Sequence, residues 1–344
     1  MILRDYLYVD VDKVRAFLAQ IDGGVFEESR ETKKSNKNTG AGVKGIGLHE
    51  RAWGTEESLS KSLGDALFPT LEESLEVHGI ISDISNDLRD RNYWTSDGLR
   101  NCLPPGSIVR LSARGALFDA RYVASTLAAF VASYEALRDM GLIPERALRP
   151  EVIRQHSKRN SAGGSLKKKP QSDSDPRRSN LELERMIVDF APHVSEGDGA
   201  TITPEYLRAI IKISRGMFTP GLHLNLMPTD DDNLTVSVRL KEGQAYLDSD
   251  AEMLFARYGV GVQEWTVVGV IGYYAEEHYV PMSSTTNLLR GLNQVHRAKT
   301  ASYLNSYMGA IGSYGFVDMA QYPGFTIIPL AVYRSIAGPG TGTI

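Results

Sequence analysis

Residues 264–274, EWTVVGVIGYY, decide the fold. This run is the longest apolar stretch of the chain, yet it is far shorter than the roughly 18 residues that would span a bilayer. Its β-branched and aromatic residues are typical of a buried strand. We therefore predict such a strand here, in a protein without a membrane span.

Other strands and helices surround this run in mixed order. GFTIIPLAVYR at 324–334 predicts the last strand, and LHLNLMP (222–228) with LTVSVRL (234–240) predicts a hairpin around the polar turn TDDDN. Residues 106–119 alternate well enough for a strand or a hairpin. Apolar spacings of three and four residues predict helices after Asp10, over 59–75 with a break or kink at Pro69, and over 123–137, 249–258 and 283–308. The predicted fold class is therefore α+β.

Two polar stretches divide the chain. Residues 27–47 offer almost nothing to bury and predict a flexible loop. Residues 154–180 carry eight Lys and Arg against two Asp, which is typical of a solvated linker. We predict two halves joined by this polar basic linker. The predicted parts are an N-terminal α/β region at 1–153, the linker at 154–180, a C-terminal α+β region at 181–335 and a tail at 336–344.

The composition is that of a soluble globular protein. The 344 residues are 42% hydrophobic and 23% charged, with a formal net charge of −4. A global charge that small predicts no general attraction to nucleic acid or to acidic membranes. Cys102 is the only cysteine, which excludes a disulfide framework and a multi-cysteine metal site. Charges interrupt the N-terminus too often for a secretory signal, so we expect a cytoplasmic protein.

Three glycines stand at the spacing of a dinucleotide-binding loop. Gly40, Gly42 and Gly45 match G-x-G-x-x-G. Such a loop must follow a buried strand and open a helix, so that backbone amides and the helix dipole face the phosphates. The residues before Gly40, ETKKSNKNT, predict no strand. We therefore interpret these glycines as part of a solvated loop and predict no cofactor.

A basic run within the linker is the candidate contact for phosphates. Its members are Lys167, Lys168, Lys169, Arg177 and Arg178. Lysine and arginine bind phosphates without reading base sequence, and no interleaved aromatic residue indicates base stacking. We favour a solvated linker and keep nucleic-acid binding as an alternative.

Carboxylates and histidines supply the other polar candidates. Asp10 and Asp12 lie two residues apart at a strand end, which suits a shared metal, but a helix cap and a first-turn acid explain them fully. Glu277 and His278 form an acid–base pair just after the predicted strand. His223 is a further candidate, although the seven histidines show no zinc-binding spacing. We predict no metal site and assign no catalytic residue.

The opening YLYVDVDKVRAFLAQIDGG, residues 6–24, resembles the start of an uncharacterised bacterial domain-of-unknown-function family. Members of that family begin with a Tyr-Leu-Asp strand, a short helix ending in Gln, and paired glycines. The matching positions are Tyr8, Asp10, Asp12, Val14, Leu18, Gln20, Gly23 and Gly24. The segments LFDARYVASTLAAF (117–130) and WTVVG (265–269) also fit, so the resemblance covers most of the chain.

This resemblance implies a partner rather than a reaction. A member of the family occurs beside a ClpB-like ATPase in a small bacterial anti-phage defence system called Dodola. The resemblance thus implies a defence-associated protein that works with an AAA+ ClpB-like partner, and it carries no catalytic residue onto this chain.

Three functions follow as hypotheses. The leading one is a non-enzymatic sensor or interaction component of an anti-phage system, because no catalytic motif is present and polar excursions can fold on a protein partner. The second is a hydrolase or nuclease effector whose site is assembled from scattered polar residues. The third is a nucleic-acid-binding protein that uses the basic linker. A homo-oligomer stays open, and no membrane partner is expected.

Overall fold

The structure is a computed structural model that describes residues 3–21, 56–95, 97–142, 194–195, 201–231, 233–243, 245–277 and 295–336. The strands are β1 (Leu3–Val9), β2 (Ile81–Asp83), β3 (Ile108–Phe118), β4 (Val194–Ser195), β5 (Thr201–Ile202), β6 (His223–Met227), β7 (Val236–Arg239), β8 (Gln263–Tyr274) and β9 (Phe325–Ile336). The helices are α1 (Val11–Ile21), α2 (Glu56–Val77), α3 (Arg91–Thr95), α4 (Asp97–Cys102), α5 (Ala120–Asp139), α6 (Pro204–Met217), α7 (Ala251–Tyr258) and α8 (Arg297–Ser313). The predicted α+β class is confirmed.

Five strands close into a barrel. β3 pairs with β6, β6 with β7, β7 with β9, β9 with β8, and β8 pairs with β3 again. Within this ring only the β7–β9 pairing is parallel. Numbered within the barrel alone, the strands follow the order 1-2-3-5-4 around the ring, with α7 between the third and the fourth. This is the connectivity of the OB-fold, a five-stranded Greek-key barrel. β1 extends the sheet beside β9, and β2 extends it beside β3.

β8 closes the ring because both of its edges are paired, one with β3 and one with β9. At Gly269 the two backbones of β8 and β9 come so close that a Cβ atom would lie 2.5 Å from the carbonyl oxygen of Ile328. Only glycine fits such an approach. The buried strand predicted over 264–274 is confirmed, and the structure starts it one residue earlier.

The other predicted strands also form. The hairpin is β6 and β7, and the last strand is β9. The turn between β6 and β7 is polar, as predicted: Asp231 Oδ1 accepts hydrogen bonds from the backbone N–H and the side-chain amide of Asn233, at 3.0 and 2.8 Å. Residues 106–119 form one long strand, β3, rather than a hairpin.

The predicted helices differ from the structure mainly at one place. The stripe at 59–75 belongs to a single helix, α2, with Pro69 inside it. The helix predicted over 123–137 lies within α5, and the helix predicted over 249–258 contains α7. The helix predicted over 283–308 is α8, which begins at Arg297 and continues to Ser313. Residues 281–294 lie outside the described part of the chain. No helix of that part is long and apolar enough to cross a membrane.

The chain divides into two compact units. The first comprises Met1–Asp119 with Gly221–Ile344 and contains the barrel; the second, Ala120–Pro220, is inserted between β3 and β6. In the second unit β4 pairs with β5, and α5 packs against α6. The α5–α6 contact consists of Ala124, Leu127, Val131, Leu207 and Ile211.

The predicted division at the basic linker stays a prediction. The linker at 154–180 and the loop at 27–47 fall outside the described residues, as does the tail beyond Ile336.

α1 and α2 pack over β1 and β9 of the first unit. Their shared apolar core contains Val9, Val14, Leu18, Phe68, Leu71, Leu75, Val268 and Leu330. The core residues within each of these two helices are three or four positions apart, as the sequence predicts for one buried helix face. Burial of this stripe is what holds both helices on the barrel, since apolar surface removed from water stabilises the folded state.

One carboxylate connects α2 to three strands. Glu72 is only 3% exposed, and its Oε2 lies 2.5 Å from Nη1 of Arg4 in β1. Its Oε1 accepts hydrogen bonds from Nε and Nη2 of Arg110 in β3, at 2.9 and 2.6 Å, and from the Tyr333 hydroxyl in β9 at 3.3 Å. Arg110 also pairs with Glu76 and Asp83, two exposed carboxylates, so Glu72 is the buried member of this charge network.

We therefore expect Glu72→Gln to destabilise the protein by about 1–3 kcal/mol, because Arg4 loses its counter-charge and Arg110 keeps only the more exposed Glu76 and Asp83. The measurement is urea unfolding followed by circular dichroism. The matched control is Glu73→Gln, which changes an exposed neighbour in the same helix and should alter the free energy of unfolding by less than about 0.5 kcal/mol. Equal effects of the two changes would contradict this role of Glu72.

Stability should also fall at alkaline pH. Burial, together with the Glu72 carboxylate, raises the pKa of Tyr333 from 10.0 to about 12. Because the folded pKa lies above the unfolded one, this contribution is fully present below pH 10 and is lost as the pH rises from 10 to 12.

Tyr333→Phe should therefore flatten the decline of the free energy of unfolding above pH 10, by about 1–3 kcal/mol. Urea midpoints measured from pH 8 to pH 11 test this. Tyr314→Phe, at a residue that is 77% exposed, is the control and should leave the slope unchanged. A decline that Tyr333→Phe does not alter would show that burial of this phenol does not set the alkaline limit.

Candidate functional site

Asp10 closes the first turn of α1 and is fully buried. Its Oδ1 accepts a hydrogen bond from the backbone N–H of Lys13 at 3.3 Å, the bond of an N-cap residue. Its Oδ2 lies 2.8 Å from Nζ of Lys241 and 3.3 Å from Nζ of Lys13. The interpretation as a helix cap is confirmed, and two ammonium groups compensate the buried charge.

Asp12 lies in the same turn and has a different partner. The hydroxyl of Tyr246 donates to its Oδ2 at 2.7 Å, and this hydrogen bond raises the pKa of Tyr246. Nζ of Lys241 lies 4.9 Å from the centre of the Tyr246 ring. The structure thus brings Asp10 and Asp12 together, but each carboxylate is occupied by groups of the protein itself.

His223 begins β6 and is buried beside Asp318, which lies in the segment before β9. Its Nε2 is 3.8 Å from Oδ2 of Asp318, and the Phe118 ring meets the imidazole edge-on at 5.9 Å. Arg239, the last residue of β7, donates to both carboxylate oxygens of Asp318 through Nε and Nη2. His223 therefore belongs to a buried cluster that ties this segment to β6 and β7.

Of the remaining predicted candidates, the structure describes only Glu277. Glu277 is exposed just after β8. His278 and the basic residues Lys167, Lys168, Lys169, Arg177 and Arg178 lie outside the described part of the chain. Within that part, no group of three or more His, Cys, Asp and Glu side chains is placed to hold a metal ion.

A half-open cavity of about 410 Å³ lies beside the end of β8. Its walls come from α4, the end of β8, α8 and the segment before β9. Among its lining residues are Tyr273, Tyr274, Tyr322, Arg100 and Glu276, and we call it the tyrosine cavity. Cavities of roughly 300–1,000 Å³ are the usual size of small-molecule sites.

Arg100 lies against the aromatic wall of the tyrosine cavity. Its guanidinium carbon is 5.5 Å from the centre of the Tyr274 ring and 5.9 Å from that of Tyr322. Nη2 donates to the carbonyl oxygen of Ala275 at 2.5 Å. No carboxylate of the described residues forms an ion pair with this guanidinium.

The two tyrosines of β8 are held by their hydroxyl groups. The Tyr274 hydroxyl donates to the carbonyl oxygen of Leu103 at 2.7 Å, and the Tyr273 hydroxyl oxygen accepts the backbone N–H of Ala320 at 2.7 Å. Burial raises the pKa of Tyr274 to about 12 and also raises the pKa of Tyr273. Both rings are therefore fixed walls that stay neutral at physiological pH.

α8 also forms one wall of the tyrosine cavity, through Gly309 and Gly312. A Cβ at Gly312 would lie 2.8 Å from Sδ of Met319, so the glycine lets the segment before β9 approach the helix. The buried residues of α8 are Gly309, Ala310 and Gly312.

The opposite side of α8 is apolar and exposed. Leu304, Tyr307, Met308 and Ile311 are 56, 43, 47 and 41% exposed. They follow the spacing i, i+3, i+4, i+7 and fall within an arc of about 100° on the helix, the width of an ordinary core-facing stripe. We call these four residues the α8 face. The helix thus buries its small residues and exposes its large ones.

Sequence reasoning missed the residues of the tyrosine cavity. Arg100 and Ala275 are 175 positions apart, so no local pattern relates them. The one signal present was the run YYAEEH at 273–278, which places aromatic and acidic side chains together at a strand end. For the α8 face, the spacing of apolar residues was visible, but its exposure was not.

Comparison with known proteins finds one family. A family model described as "Domain of unknown function (DUF6414)" matches residues 3–333. No curated protein and no solved structure matches the chain.

The contacts of Asp10 and Asp12 predict different effects of removing each. Asp10→Ala should lower the free energy of unfolding by about 1–3 kcal/mol, because it removes a helix cap and the buried counter-charge of Lys241. Asp12→Ala should cost less than about 1 kcal/mol, because it removes one exposed hydrogen bond. Urea unfolding checks both values, and Asp5→Ala, which removes the acceptor of the Tyr258 hydroxyl, is the comparison. Mg²⁺ would instead indicate a shared metal site if it raised the melting temperature of the wild type but not that of Asp10→Ala or Asp12→Ala.

Proposed function

Because the chain belongs to the DUF6414 family, we propose that it is a non-enzymatic interaction component of a bacterial anti-phage defence system. In this proposal it acts in the cytoplasm with one protein partner, an AAA+ ClpB-like ATPase. The support for the defence association is the resemblance of residues 6–24, 117–130 and 265–269 to a family with a member in the Dodola system. The support for partner binding is physical and lies in α8.

The observation that carries the proposal is the α8 face. Four large apolar side chains at helical spacing face solvent, and the buried side of the same helix consists of glycine and alanine. Apolar surface exposed to water is unfavourable, and burying it in an interface stabilises the complex by roughly 25 cal/mol per Å². A helix face of this pattern is the side that a partner groove accepts.

The surroundings of the α8 face extend the apolar surface. Tyr314 and Phe316 follow the helix and are 77 and 64% exposed. The rings of Tyr303 and Tyr307 meet edge-on at 4.9 Å on the same helix. Aromatic residues are enriched among those that dominate binding energy at interfaces.

The charges of α8 indicate what the partner offers. Arg297 and Lys299 lie in the first turn, and the helix contains no acidic residue. The complementary surface is therefore an apolar groove with carboxylates at the end that receives the helix N-terminus. A groove of this character on the ClpB-like ATPase fits the proposal.

The polar candidates support an interaction role over catalysis. Asp10 holds α1 and Lys241, Asp12 accepts from Tyr246, and His223 sits in the buried cluster of Asp318. Each group has a structural task, and catalysis would need groups that converge on a common reacting atom.

Co-purification tests this proposal. The wild-type chain, expressed with the ClpB-like ATPase of a Dodola system, should retain the ATPase on an affinity column. The double variant Leu304→Glu, Ile311→Glu should retain at least about tenfold less, because two buried charges replace two apolar contacts. Its melting temperature should match the wild type, since both residues face solvent.

The matched control is Met253→Glu with Val262→Glu, which adds the same charges at residues of similar exposure away from α8. It should retain the ATPase as the wild type does. Retention by the α8 variant would exclude this face as the docking surface. A chain that captures no ATPase, even from phage-infected cells, and whose gene has no defence genes beside it, would refute the proposed function. A wild-type dimer that the α8 variant abolishes would assign the face to a second copy instead.

A further inference from the structure

We infer that the tyrosine cavity binds a nucleotide, with the base against the tyrosine rings and a phosphate on Arg100. This activity lies beyond the proposed partner binding, because it uses a different set of residues. The cavity is formed entirely by the unit that contains the barrel.

The aromatic wall supplies the base site. Tyr273 and Tyr274 are the last residues of β8, Tyr322 lies in the segment before β9, and all three line the cavity. Arg100 lies over the Tyr274 and Tyr322 rings, so a base stacks on the ring surface that this guanidinium leaves uncovered. The three tyrosine rings are presented by a strand end and a packed turn rather than by a mobile loop, so stacking does not have to order them first. Base–aromatic stacking is worth about 1–3 kcal/mol and accepts every base.

Arg100 supplies the phosphate site. The guanidinium carries five N–H donors, and the hydrogen bond to Ala275 uses one of them. Its planar fork matches two oxygens of a phosphate, which no single ammonium group can do. The tyrosine faces beside it favour a cation at this place and keep the guanidinium against the wall.

Glu276 supplies the third contact. Glu276 is exposed and is one of the residues that line the cavity. A carboxylate accepts hydrogen bonds from ribose hydroxyls, as it does in dinucleotide sites, or from an exocyclic amine of a base. It also disfavours a ligand that is only an anion, so a free phosphate ion would lack both the stacking and this contact.

The size agrees with this ligand. A volume of about 410 Å³ holds one nucleotide and excludes a duplex. The ligand we infer is a nucleoside monophosphate. It can come from two sources, a free nucleotide or one nucleotide of a single strand.

Calorimetry with adenosine 5′-monophosphate and adenosine tests the inference on the full chain. The wild type should bind the monophosphate at least about tenfold more tightly than the nucleoside, because a charge-assisted fork on Arg100 is worth that factor. Arg100→Gln should abolish the difference and leave adenosine binding almost unchanged. Tyr322→Leu should weaken both ligands to the same extent, because it removes stacking and not the phosphate contact.

Arg91→Gln is the matched control, since it changes an arginine that is 75% exposed outside the cavity. It should bind both ligands as the wild type does. If Arg100→Gln does not fold, Arg100→Lys keeps the charge without the fork and should reduce the preference for the monophosphate. Added salt should reduce that preference further.

A short single-stranded oligodeoxyadenylate distinguishes the two sources of the nucleotide. If the free monophosphate displaces the oligonucleotide and both need Arg100, the cavity binds the free ligand or the end of a strand. If only the oligonucleotide binds, the cavity binds a nucleotide within a strand. Equal affinity for adenosine and its monophosphate in the wild type, or a preference that survives Arg100→Gln, overturns the inference. Absence of saturable binding by all three probes at millimolar concentration also overturns it. The α8 variant should bind nucleotide normally, so failure of one proposal leaves the other standing.

Discussion

The rest of the structure depends on the double pairing of β8. This strand forms ladders on both edges, with β3 and with β9, and so turns a sheet into a closed ring. Closure requires β8 and β9 to approach closely. At Gly269 their backbones are in contact, and a side chain there would separate them. Each site described above is attached to this ring. The tyrosine cavity begins where β8 ends, α8 and the segment after it connect β8 to β9, and Glu72 fastens α2 to the outward-facing side chains of β1, β3 and β9.

Local patterns in the sequence predict the elements of this ring but not the ring itself. Three features could be predicted: the strand at 264–274, the hairpin and the last strand. Runs rich in β-branched residues and bounded by turn residues usually form strands. The order of the strands could not be predicted, because the parallel pairing of β7 with β9 and the return of β8 to β3 are contacts between residues far apart in the chain. The same limit applies to the buried ionic groups. Nothing beside Glu72 in the sequence points to Arg4, Arg110 or Tyr333, and nothing beside His223 points to Asp318.

The candidate sites show the same limit in another form. Asp10 could be assigned as a helix cap because a cap is a local structure. The α8 face could not be assigned from its spacing, since the same spacing is normally that of a buried stripe. Its exposure follows from which side of the helix packs, and here glycine and alanine take that side because they allow the closest approach. Connectivity shared with OB-folds describes the scaffold only, and both functional proposals rest on the side chains that this scaffold presents.

The insertion between β3 and β6 has a consequence for protein engineering. Phe118 pairs with His223 across the two strands, so the chain leaves the barrel and returns to it at neighbouring positions. Everything from Ala120 to Pro220 thus occupies the place of a hairpin turn. A two-residue turn such as Asn-Gly has the geometry to join the same strands. Such a turn in place of the insertion would give a shorter chain that keeps every barrel strand, α8 and the residues of the tyrosine cavity.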